Sequence, residues 1–537
     1  MQQVIEAIER IYQRAHDNVK AIVTEGERIS AKKLNANQLS AHAVAYIATE
    51  LEACRQLAGW AERVGGDYEG KVARAYVGEV ARSLLGGVDL GPCENISLAE
   101  LGITEGDLRE TLLQPQVLAF SSENSNGQVY LEIAERARDD GMPNPGFDDE
   151  MLDEIRSQFS KFVDAEVIPQ AQDIHRNDVL IPMEILDQMS ELGVFGLTIP
   201  EEYGGLGMSK VAMCVVTEEL SRGYIGVGSL GTRAEIAAEL ILGGGTEEQK
   251  QKWLPEIAAG EVLSTAVFTE PNIGSDLAHL GTRAVKQDDG SYVVNGQKTW
   301  ITHAVRADLM TLLARTDANE PGYRGLSMFL AEKTRRTGED GEEEFVDQGL
   351  TGTEIKVLGY RGMKEYELSF EDFKLPADSL LGGEEGAGFK QLMRTFESAR
   401  IQTAARGVGV AQAALEDAIL YATEREQFGG PIFQFPRVAR KIGRMVCRVQ
   451  AGRQLTYFSA REKDQEKRCD LEAGMAKLLA TRAAWESADA NVQIHGGNGF
   501  AEEYTASRLL VDARVLSIFE GANEIQAHVV ARRLLES

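Results

Sequence analysis

The sequence lacks paired cysteines, a basic surplus and long apolar runs. Its five cysteines, an odd number, show no C-x-x-C pair, which indicates a reducing compartment and gives no metal-site signature. The formal net charge of −28 argues against a nucleic-acid or anionic-membrane surface, because such a surface needs clustered basic charge. No apolar run approaches the roughly 18 residues that span a bilayer, and the polar start shows no secretory signal. These features predict a cytoplasmic protein that binds neither nucleic acid, membrane nor metal.

The length of 537 residues predicts three or four domains at roughly 150 residues each. Apolar residues recur at helical spacing over residues 1–146, and the breaker-rich stretch PNPG at 143–146 indicates a linker. Helical patterns return over 147–261. We therefore expect a helical N-terminal extension, then a first helical domain. For the extension a structural or oligomerisation role is favoured over a second ligand site.

Residues 262–378 change character and predict a small β-domain, a barrel or sandwich. Asn295 and Gly296 follow a short apolar run and both tolerate positive φ, so this dipeptide predicts a hairpin turn. From Tyr366 to Phe370 apolar and polar residues alternate, which is the period of a half-buried strand.

Residues 379–537 are helical again, in segments at roughly 386–425, 435–465 and 470–494, with a last helix from about 524. Helices of this length joined by short turns predict an antiparallel four-helix bundle. The expected fold class is mostly α with a central β-domain.

Five short segments carry the functional signal: FTEPNIGSD at 268–276, WIT at 300–302, REQFG at 425–429, QIHGGNG at 493–499 and IFEGANE at 518–524. Each alone is weak. Together, in this order and spacing, they resemble the acyl-CoA dehydrogenase family of flavoproteins, whose layout is also helices, β-domain and helical bundle. The resemblance implies an FAD enzyme that desaturates a coenzyme A thioester.

That reaction removes an α-proton and a β-hydride, so it needs a general base and a hydride acceptor that no side chain provides. The resemblance implies that Glu520 is the base. Its backbone N–H, beside Gly521, would help a flavin hydroxyl to polarise the thioester carbonyl. A desolvated pocket would raise the pKa of such a carboxylate. Some members place the base before an arginine of the first bundle helix, where this chain has Ala399, which cannot accept a proton. The alternative, non-catalytic role of Glu520 is that of a surface or helix-capping carboxylate.

The resemblance also implies two sets of FAD contacts. Those near the flavin ring and its surroundings are Phe268, Thr269, Ser275, Trp300, Ile301 and Thr302. Those for the adenine and pyrophosphate end are Arg425, Phe428, Gln434, Gln493, Ile494, Gly496 and Gly497. The glycines would let backbone N–H groups approach phosphate. Because the second set comes partly from a neighbouring subunit, a homodimer or homotetramer is implied. Pro436 and Ala522 depart from the family pattern, and each removes a possible hydrogen bond to FAD.

On the substrate side the resemblance implies that Ser275, Glu397 and Arg400 face coenzyme A. Without a ligand, Glu397 and Arg400 would be an ordinary ion pair one helical turn apart. Arg233 lies where the family forms its acyl pocket, and a guanidinium there needs a partner. A substrate carboxylate and a nearby acidic side chain, Glu235 or Glu239, are both open as that partner.

Further segments at 300–304, 359–368 and 396–406, with the long extension, resemble the family's subgroup that oxidises (2S)-methylsuccinyl-CoA to mesaconyl-CoA in the ethylmalonyl-CoA route. The resemblance implies electron-transfer flavoprotein as the electron acceptor. The alternatives are a dehydrogenase for another short or branched acyl-CoA, an oxidase on the same fold, and a colourless helical scaffold that keeps the motifs without the chemistry.

Overall fold

The computed structural model describes residues 1–147, 149–339 and 341–536. Most of them are helical. The α-helices, named α1 to α18 in chain order, are Gln2–Val23, Ala31–Ala36, Gln38–Val64, Asp67–Leu84, Glu105–Arg109, Pro115–Asn124, Gly127–Asp139, Glu150–Phe162, Ile168–Asn177, Met183–Glu191, Lys210–Gly223, Ile225–Gly244, Glu247–Ala258, Gly388–Glu424, Pro436–Asp464, Asp470–His495, Thr505–Leu516 and Asn523–Glu536.

The strands, named β1 to β13, are Thr24–Glu25, Arg28–Ile29, Val88–Gly91, Glu94–Ile96, Ser264–Val267, Arg283–Lys286, Tyr292–Thr302, Leu309–Arg315, Leu326–Glu332, Leu350–Ile355, Glu365–Leu375, Glu426–Gln427 and Gly430–Pro431. Seven of them form one sheet in the order β10-β11-β7-β6-β8-β5, with β9 beside β8. The other strands pair as three small hairpins, β1 with β2, β3 with β4 and β12 with β13. The expected fold class, mostly α with a central β-domain, is confirmed.

The chain forms two compact units. Unit 1 comprises residues 1–154 and 403–537, and unit 2 comprises residues 155–402. Helix α14 begins within unit 2 and ends within unit 1. Within the described residues no helix is long and apolar enough to cross a membrane.

In unit 1 the N-terminal helices share one core with the C-terminal bundle. Helix α15 packs against α3, α7 and α16, while α18 packs against α3 and α16. The cause is amphipathic patterning: α1 buries Val4, Ile8, Ile11 and Ala15 at helical spacing, and its remaining positions are mainly exposed.

A partly buried charge network ties the extension to the bundle inside unit 1. Arg448 of α15 lies 3.3 Å from Glu50 of α3, 3.1 Å from Glu79 of α4 and 3.6 Å from Glu486 of α16. Burial alone would raise the pKa of Glu79, but Arg448 and Arg444 lower it to about 2. Since buried charges are tolerated only when paired, these partners fix α3, α4, α15 and α16 in register.

The predicted linker does connect two helices without being helical, yet it is held firmly. The indole N–H of Trp60 donates to the carbonyl of Asn144 at 2.9 Å, and the Gln454 amide donates to the carbonyl of Pro145 at 2.8 Å. The segment is therefore anchored to both α3 and α15.

In unit 2 the sheet packs around an apolar core that includes Tyr292, Phe329, Tyr366 and Phe370. Helix α12 packs against α11, α13 and strand β5. The buried face of this helix therefore positions Arg233 next to the sheet's edge strand, and the Arg233 carbonyl accepts a hydrogen bond from Ser264 at 2.9 Å.

The hairpin predicted at Asn295 and Gly296 is wrong. Both residues lie inside β7, and the turn comes earlier, between Gln287 and Ser291. The Asn295 side chain instead exchanges hydrogen bonds with Asp372 across a bulge in β11. A Cβ on Gly296 would lie 2.5 Å from the Thr282 side chain, so the glycine serves close packing of strands rather than a turn.

Candidate active site

Glu520 lies on a tight turn between α17 and α18. Its backbone has φ +52° and that of Gly521 has φ +87°, a left-handed pair that is strained for a glutamate. The Gln526 amide donates to the Gly521 carbonyl at 3.1 Å, and the Lys477 ammonium donates to the same oxygen. These two side chains hold the turn in its strained form. Such over-determined strain is typical of functional positions.

The Glu520 carboxylate is held by two residues of α14. Its Oε1 lies 3.0 Å from Nη2 of Arg406, and its Oε2 accepts from the Thr403 hydroxyl at 3.2 Å. Arg406 also donates to the Thr403 hydroxyl at 2.7 Å. The Arg406 side chain is fully buried, whereas that of Glu520 is 13% exposed. A guanidinium this close favours the ionised carboxylate, the form that accepts a proton.

Both segments predicted for the distal end of FAD lie on the surface of unit 1. Between them, the Tyr421 ring stacks on His495 with centroids 3.9 Å apart, and its hydroxyl accepts from the Asn498 amide at 3.0 Å. This contact joins the end of α14 to the end of α16. Arg425, Phe428 and Gln434 follow the first helix, and all three are exposed.

The end of α16 fits a phosphate-bearing ligand. Gln493, Gly496 and Gly497 are exposed while Ile494 is buried, so one side of the segment is anchored and the other is open. A Cβ added to Gly496 or Gly497 would meet no atom of the chain within 4 Å. The space beside these two backbones is therefore free for a ligand. Phe428, with φ +54° and 95% exposure, presents its ring outward in the same unit.

In unit 2 a bulge in β7 turns Trp300 outward. Ile301 pairs with Tyr366 and Lys298 with Leu368, so two residues of β7 oppose one of β11. Trp300 has φ +59° and is 56% exposed, while Ile301 and Thr302 on either side of the next peptide are buried. The left-handed backbone keeps the indole exposed, as a contact with the expected flavin ring requires.

A buried lysine fixes the neighbouring segment. Lys298 donates to the Phe268 carbonyl at 2.8 Å and lies 3.1 Å from Glu270. Burial lowers the pKa of Lys298 to about 8 although Glu270 opposes the shift. The Thr269 carbonyl accepts from the Thr299 N–H at 2.9 Å. These bonds place Thr269 and Phe268 beside the Trp300 bulge, so the two predicted motifs meet in unit 2.

Thr302 is buried and donates its hydroxyl proton to Glu365 at 3.0 Å. Burial raises the pKa of Glu365 to about 7, although Thr302 and Arg233 both favour its ionised form. Glu365 was not among the residues predicted from sequence.

Both acidic neighbours proposed for Arg233 have another cation. Lys210 lies 2.7 Å from Glu239 and also pairs with Glu235. Burial alone would lower the pKa of Lys210, but these two carboxylates raise it above its ordinary value. Arg233 itself is buried in α12. Arg233 also lies close enough to Glu365 to favour the ionised form of that carboxyl.

The residues predicted to face coenzyme A are also placed in unit 2. Phe396 packs edge-on against Phe268 with centroids 6.4 Å apart, and the Arg400 guanidinium lies 5.9 Å from the Phe396 ring. Glu397 is buried on the same helix, whereas Ser275 is exposed on the loop after β5. The first turns of α14 are thus brought to the flavin-motif segment.

Unit 1 therefore contains Glu520 and the residues predicted for the distal end of FAD. Unit 2 contains the residues predicted for the flavin ring and coenzyme A. The ones that sequence reasoning missed are Thr403, Arg406, Lys477 and Glu365. Arg406 is the last residue of the segment 396–406, which resembles the family's subgroup. No local sequence pattern, however, predicts that it pairs with Glu520. Among the described residues no group of three or more histidine, cysteine, aspartate or glutamate side chains is arranged to hold a metal ion.

Three domain profiles match the chain. The acyl-CoA dehydrogenase N-terminal domain matches residues 149–261, the middle domain 265–373 and the C-terminal domain 386–535. Together they cover most of the chain beyond the N-terminal extension.

Individual relatives agree. The chain is 53% identical over 534 residues to (2S)-methylsuccinyl-CoA dehydrogenase of Cereibacter sphaeroides, which covers 98% of this chain and 96% of the relative. The solved butyryl-CoA dehydrogenase of Megasphaera elsdenii superposes with a TM-score of 0.67 at 33% identity, over 72% of this chain and 98% of that one. A glutaryl-CoA dehydrogenase of Mycobacterium smegmatis in complex with FADH2 gives 0.65 at 28% identity, over 72% and 95%. The chain therefore belongs to the acyl-CoA dehydrogenase family of FAD-dependent oxidoreductases.

Proposed function

We propose that this protein oxidises (2S)-methylsuccinyl-CoA to mesaconyl-CoA and passes the electrons to electron-transfer flavoprotein. The observation that carries the reaction type is the Glu520 carboxylate, partly accessible on a strained turn and held by Arg406 and Thr403. The similarity to the Cereibacter enzyme along nearly the whole chain supports the choice of thioester.

In this proposal Glu520 takes the α-proton of the bound thioester. Arg406 keeps the carboxylate ionised and aimed, so that no proton has to leave it before the reaction. The strained turn presents the Glu520 N–H as a donor for the negative charge that develops on the thioester oxygen. Bound FAD supplies the acceptor for the β-hydride.

FAD would be held by the residues that the sequence predicts for it. Trp300, Thr269 and Thr302 would surround the flavin ring, with Phe268, Ile301 and Ser275 beside them. Gly496 and Gly497 offer open backbone for its phosphates. The outward-facing Phe428 and Arg425 would contact the FAD of a second copy, so the working form would be a homodimer or homotetramer, located in the cytoplasm.

Arg233 is proposed to bind the free carboxylate of the substrate. Arg233 is buried on the helix that the sequence places at the acyl pocket, and a substrate carboxylate there would be a favourable partner for its guanidinium. Glu397 and Arg400, with Ser275 and the Gly521 backbone, would position the coenzyme A part and the thioester.

The test follows loss of the oxidised flavin band after anaerobic mixing of the yellow holoenzyme with one thioester at a time. The thioesters, at equal concentrations, are (2S)-methylsuccinyl-CoA, succinyl-CoA and butyryl-CoA. We expect fast bleaching with methylsuccinyl-CoA and little with butyryl-CoA. The variant Arg233→Gln should lose at least about 100-fold in kcat/KM for the dicarboxylic thioester, since a buried charge pair contributes several kcal/mol. Its matched control is Arg176→Gln, an exposed arginine of the same unit.

Bleaching by butyryl-CoA alone would keep the dehydrogenase and overturn the substrate. Rapid oxygen consumption without a protein acceptor would instead indicate an oxidase on this fold. A protein that binds FAD but bleaches with no thioester would overturn the proposed reaction.

A further inference from the structure

Glu365 and Thr302 face each other across two central strands. They are paired residues in the register of β11 and β7, and the Thr302 hydroxyl donates to Glu365 Oε2 at 3.0 Å. The two residues are only 5% and 6% exposed. The hydrogen bond is therefore shielded from solvent. Thr302 is the donor while Glu365 is ionised.

The second carboxylate oxygen, Oε1, is buried and has no hydrogen-bond partner among the residues that the structure describes. A buried polar atom without a partner is costly, so a carboxylate here needs a reason beyond packing. An apolar residue would fill the position between the strands at lower cost.

The charges around Glu365 are few. Arg233 approaches from α12 and favours the ionised carboxylate. The ammonium of the preceding residue, Lys364, lies 3.3 Å from Glu354 instead. His303, next to Thr302, is uncharged at neutral pH, because burial and the cation Arg306 lower its pKa to about 3. Glu365 is thus ionised above neutral pH, and no other carboxylate of the described residues shifts its pKa.

A hydroxyl has one proton. While Glu365 accepts it, the Thr302 oxygen has only lone pairs left for a ligand, so it can accept a hydrogen bond but cannot donate one. Reduced flavin carries an N–H at N5 that donates, whereas oxidised flavin carries a bare nitrogen that accepts. An accepting Thr302 therefore favours the reduced ring.

We propose that Glu365 is a positioning residue that holds the Thr302 hydroxyl as an acceptor and thereby raises the reduction potential of the bound flavin. The proposal rests on the proposed placement of Thr302 beside the flavin. It assigns a role in the reaction to a residue that never touches the thioester.

The test is a double-mutant cycle on the holoenzyme: wild type, Glu365→Met, Thr302→Val and the double variant. The flavin midpoint potential is measured at pH 8.5 by dye-coupled reduction without any thioester. Thr302→Val removes a bond that favours ionised Glu365, so the cycle is repeated at a higher pH. Where Glu365 is ionised in both backgrounds, loss of its charge acts alike and cancels in the coupling term. A purely structural role for Glu365 would not produce a coupling in potential.

We expect the shift in midpoint potential caused by Glu365→Met to be more negative in the wild-type background than in the Thr302→Val background. Only in the wild-type background does the substitution return to Thr302 a proton that it can donate to the oxidised ring. Equal shifts in the two backgrounds, or a coupling of opposite sign, would overturn the proposal. If Glu365→Met does not retain FAD, Glu365→Leu, which likewise cannot accept the Thr302 proton, replaces it in the same cycle. Because no thioester is present, failure of the cycle is distinct from failure of the dehydrogenase assignment, which bleaching tests.

Discussion

Arg406 and Glu520 form an ion pair in which the cation is fully buried and the carboxylate stays partly accessible. The Thr403 hydroxyl joins both partners, accepting from Arg406 and donating to Glu520. A base must be ionised, correctly aimed and still reachable by its substrate. Arg406 keeps the carboxylate ionised and aimed. The turn at Gly521 keeps it reachable, because the Glu520 side chain stays 13% exposed.

Glu520→Gln should lower the rate of flavin reduction by thioester about 1,000-fold or more, since an amide cannot accept the α-proton. FAD content should stay near that of the wild type, whereas the melting temperature should fall because the buried Arg406 loses the Glu520 carboxylate. Stopped-flow absorbance under anaerobic conditions gives the rate. The matched control is Glu524→Gln, an exposed glutamate at the start of the next helix, which should reduce at the wild-type rate. A Glu520→Gln variant that still bleaches within tenfold of wild type would exclude Glu520 as the base.

Arg406→Met should slow flavin reduction and move the acidic limb of the kcat/KM profile to higher pH. Without the guanidinium the carboxylate loses the nearby cation that favours its charged form, so it accepts a proton from solvent more readily. Arg406→Lys should restore most of the pH profile because it keeps a charge near Glu520. A profile unchanged in Arg406→Met would show that the ion pair does not set the state of the base.

At Trp300 a glycine substitution should be more stable than an alanine substitution, the reverse of the ordinary order. Trp300→Gly should be more stable than Trp300→Ala by about 1 kcal/mol, since alanine in a left-handed conformation is strained and glycine is not. At Gln297, an exposed position of the same strand with an ordinary backbone, the alanine variant should be the more stable. Urea unfolding of the apoprotein measures both differences. Both Trp300 variants should bind FAD more weakly, while the Gln297 variants should not.

Long periodic segments were predicted well from the sequence. The helices expected at 386–425, 435–465 and 470–494 are Gly388–Glu424, Pro436–Asp464 and Asp470–His495. A helical period repeated over many turns is a strong local signal, so tertiary context seldom overrides it. Helix Thr505–Leu516 was missed, as were the small hairpins of the extension.

Signals that depend on distant residues were not predicted. Asn295 and Gly296 have the local chemistry of a turn, yet pairing of β7 with β11 keeps them in a strand. Thr302 and Glu365 are 63 residues apart in sequence, and Thr403 lies 117 residues before Glu520. Contacts of this kind are created by the fold and leave no spacing pattern, so motif reasoning finds Thr302 and Glu520 but not the residues that hold them.

Arg448→Met should destabilise the protein by about 1 to 3 kcal/mol, because it removes the cation shared by Glu50, Glu79 and Glu486. Arg444 still pairs with Glu79 and Arg482 with Glu486, which limits the loss. Chemical unfolding at pH 7 measures the loss. The control is Arg532→Met, which breaks an exposed pair with Glu536 in α18 and should cost less than about 1 kcal/mol. Equal effects of the two variants would mean that the network does not join the extension to the bundle.

Glu365→Gln should stabilise the protein at pH 8 and not at pH 4. Burial raises the Glu365 pKa from 4.5 to about 7, so the folded state binds the proton more tightly than the unfolded chain. The stability contributed by that proton is complete below pH 4.5, declines as the pH rises towards 7 and is gone above it. Glutamine stays neutral at every pH, so it avoids an ionisation penalty of about 3 kcal/mol at pH 8. Urea midpoints of wild type and Glu365→Gln, measured from pH 4 to pH 8, should therefore diverge through this window. Parallel curves would show that Glu365 titrates normally, and the buried bond to Thr302 would then not depend on pH near neutrality.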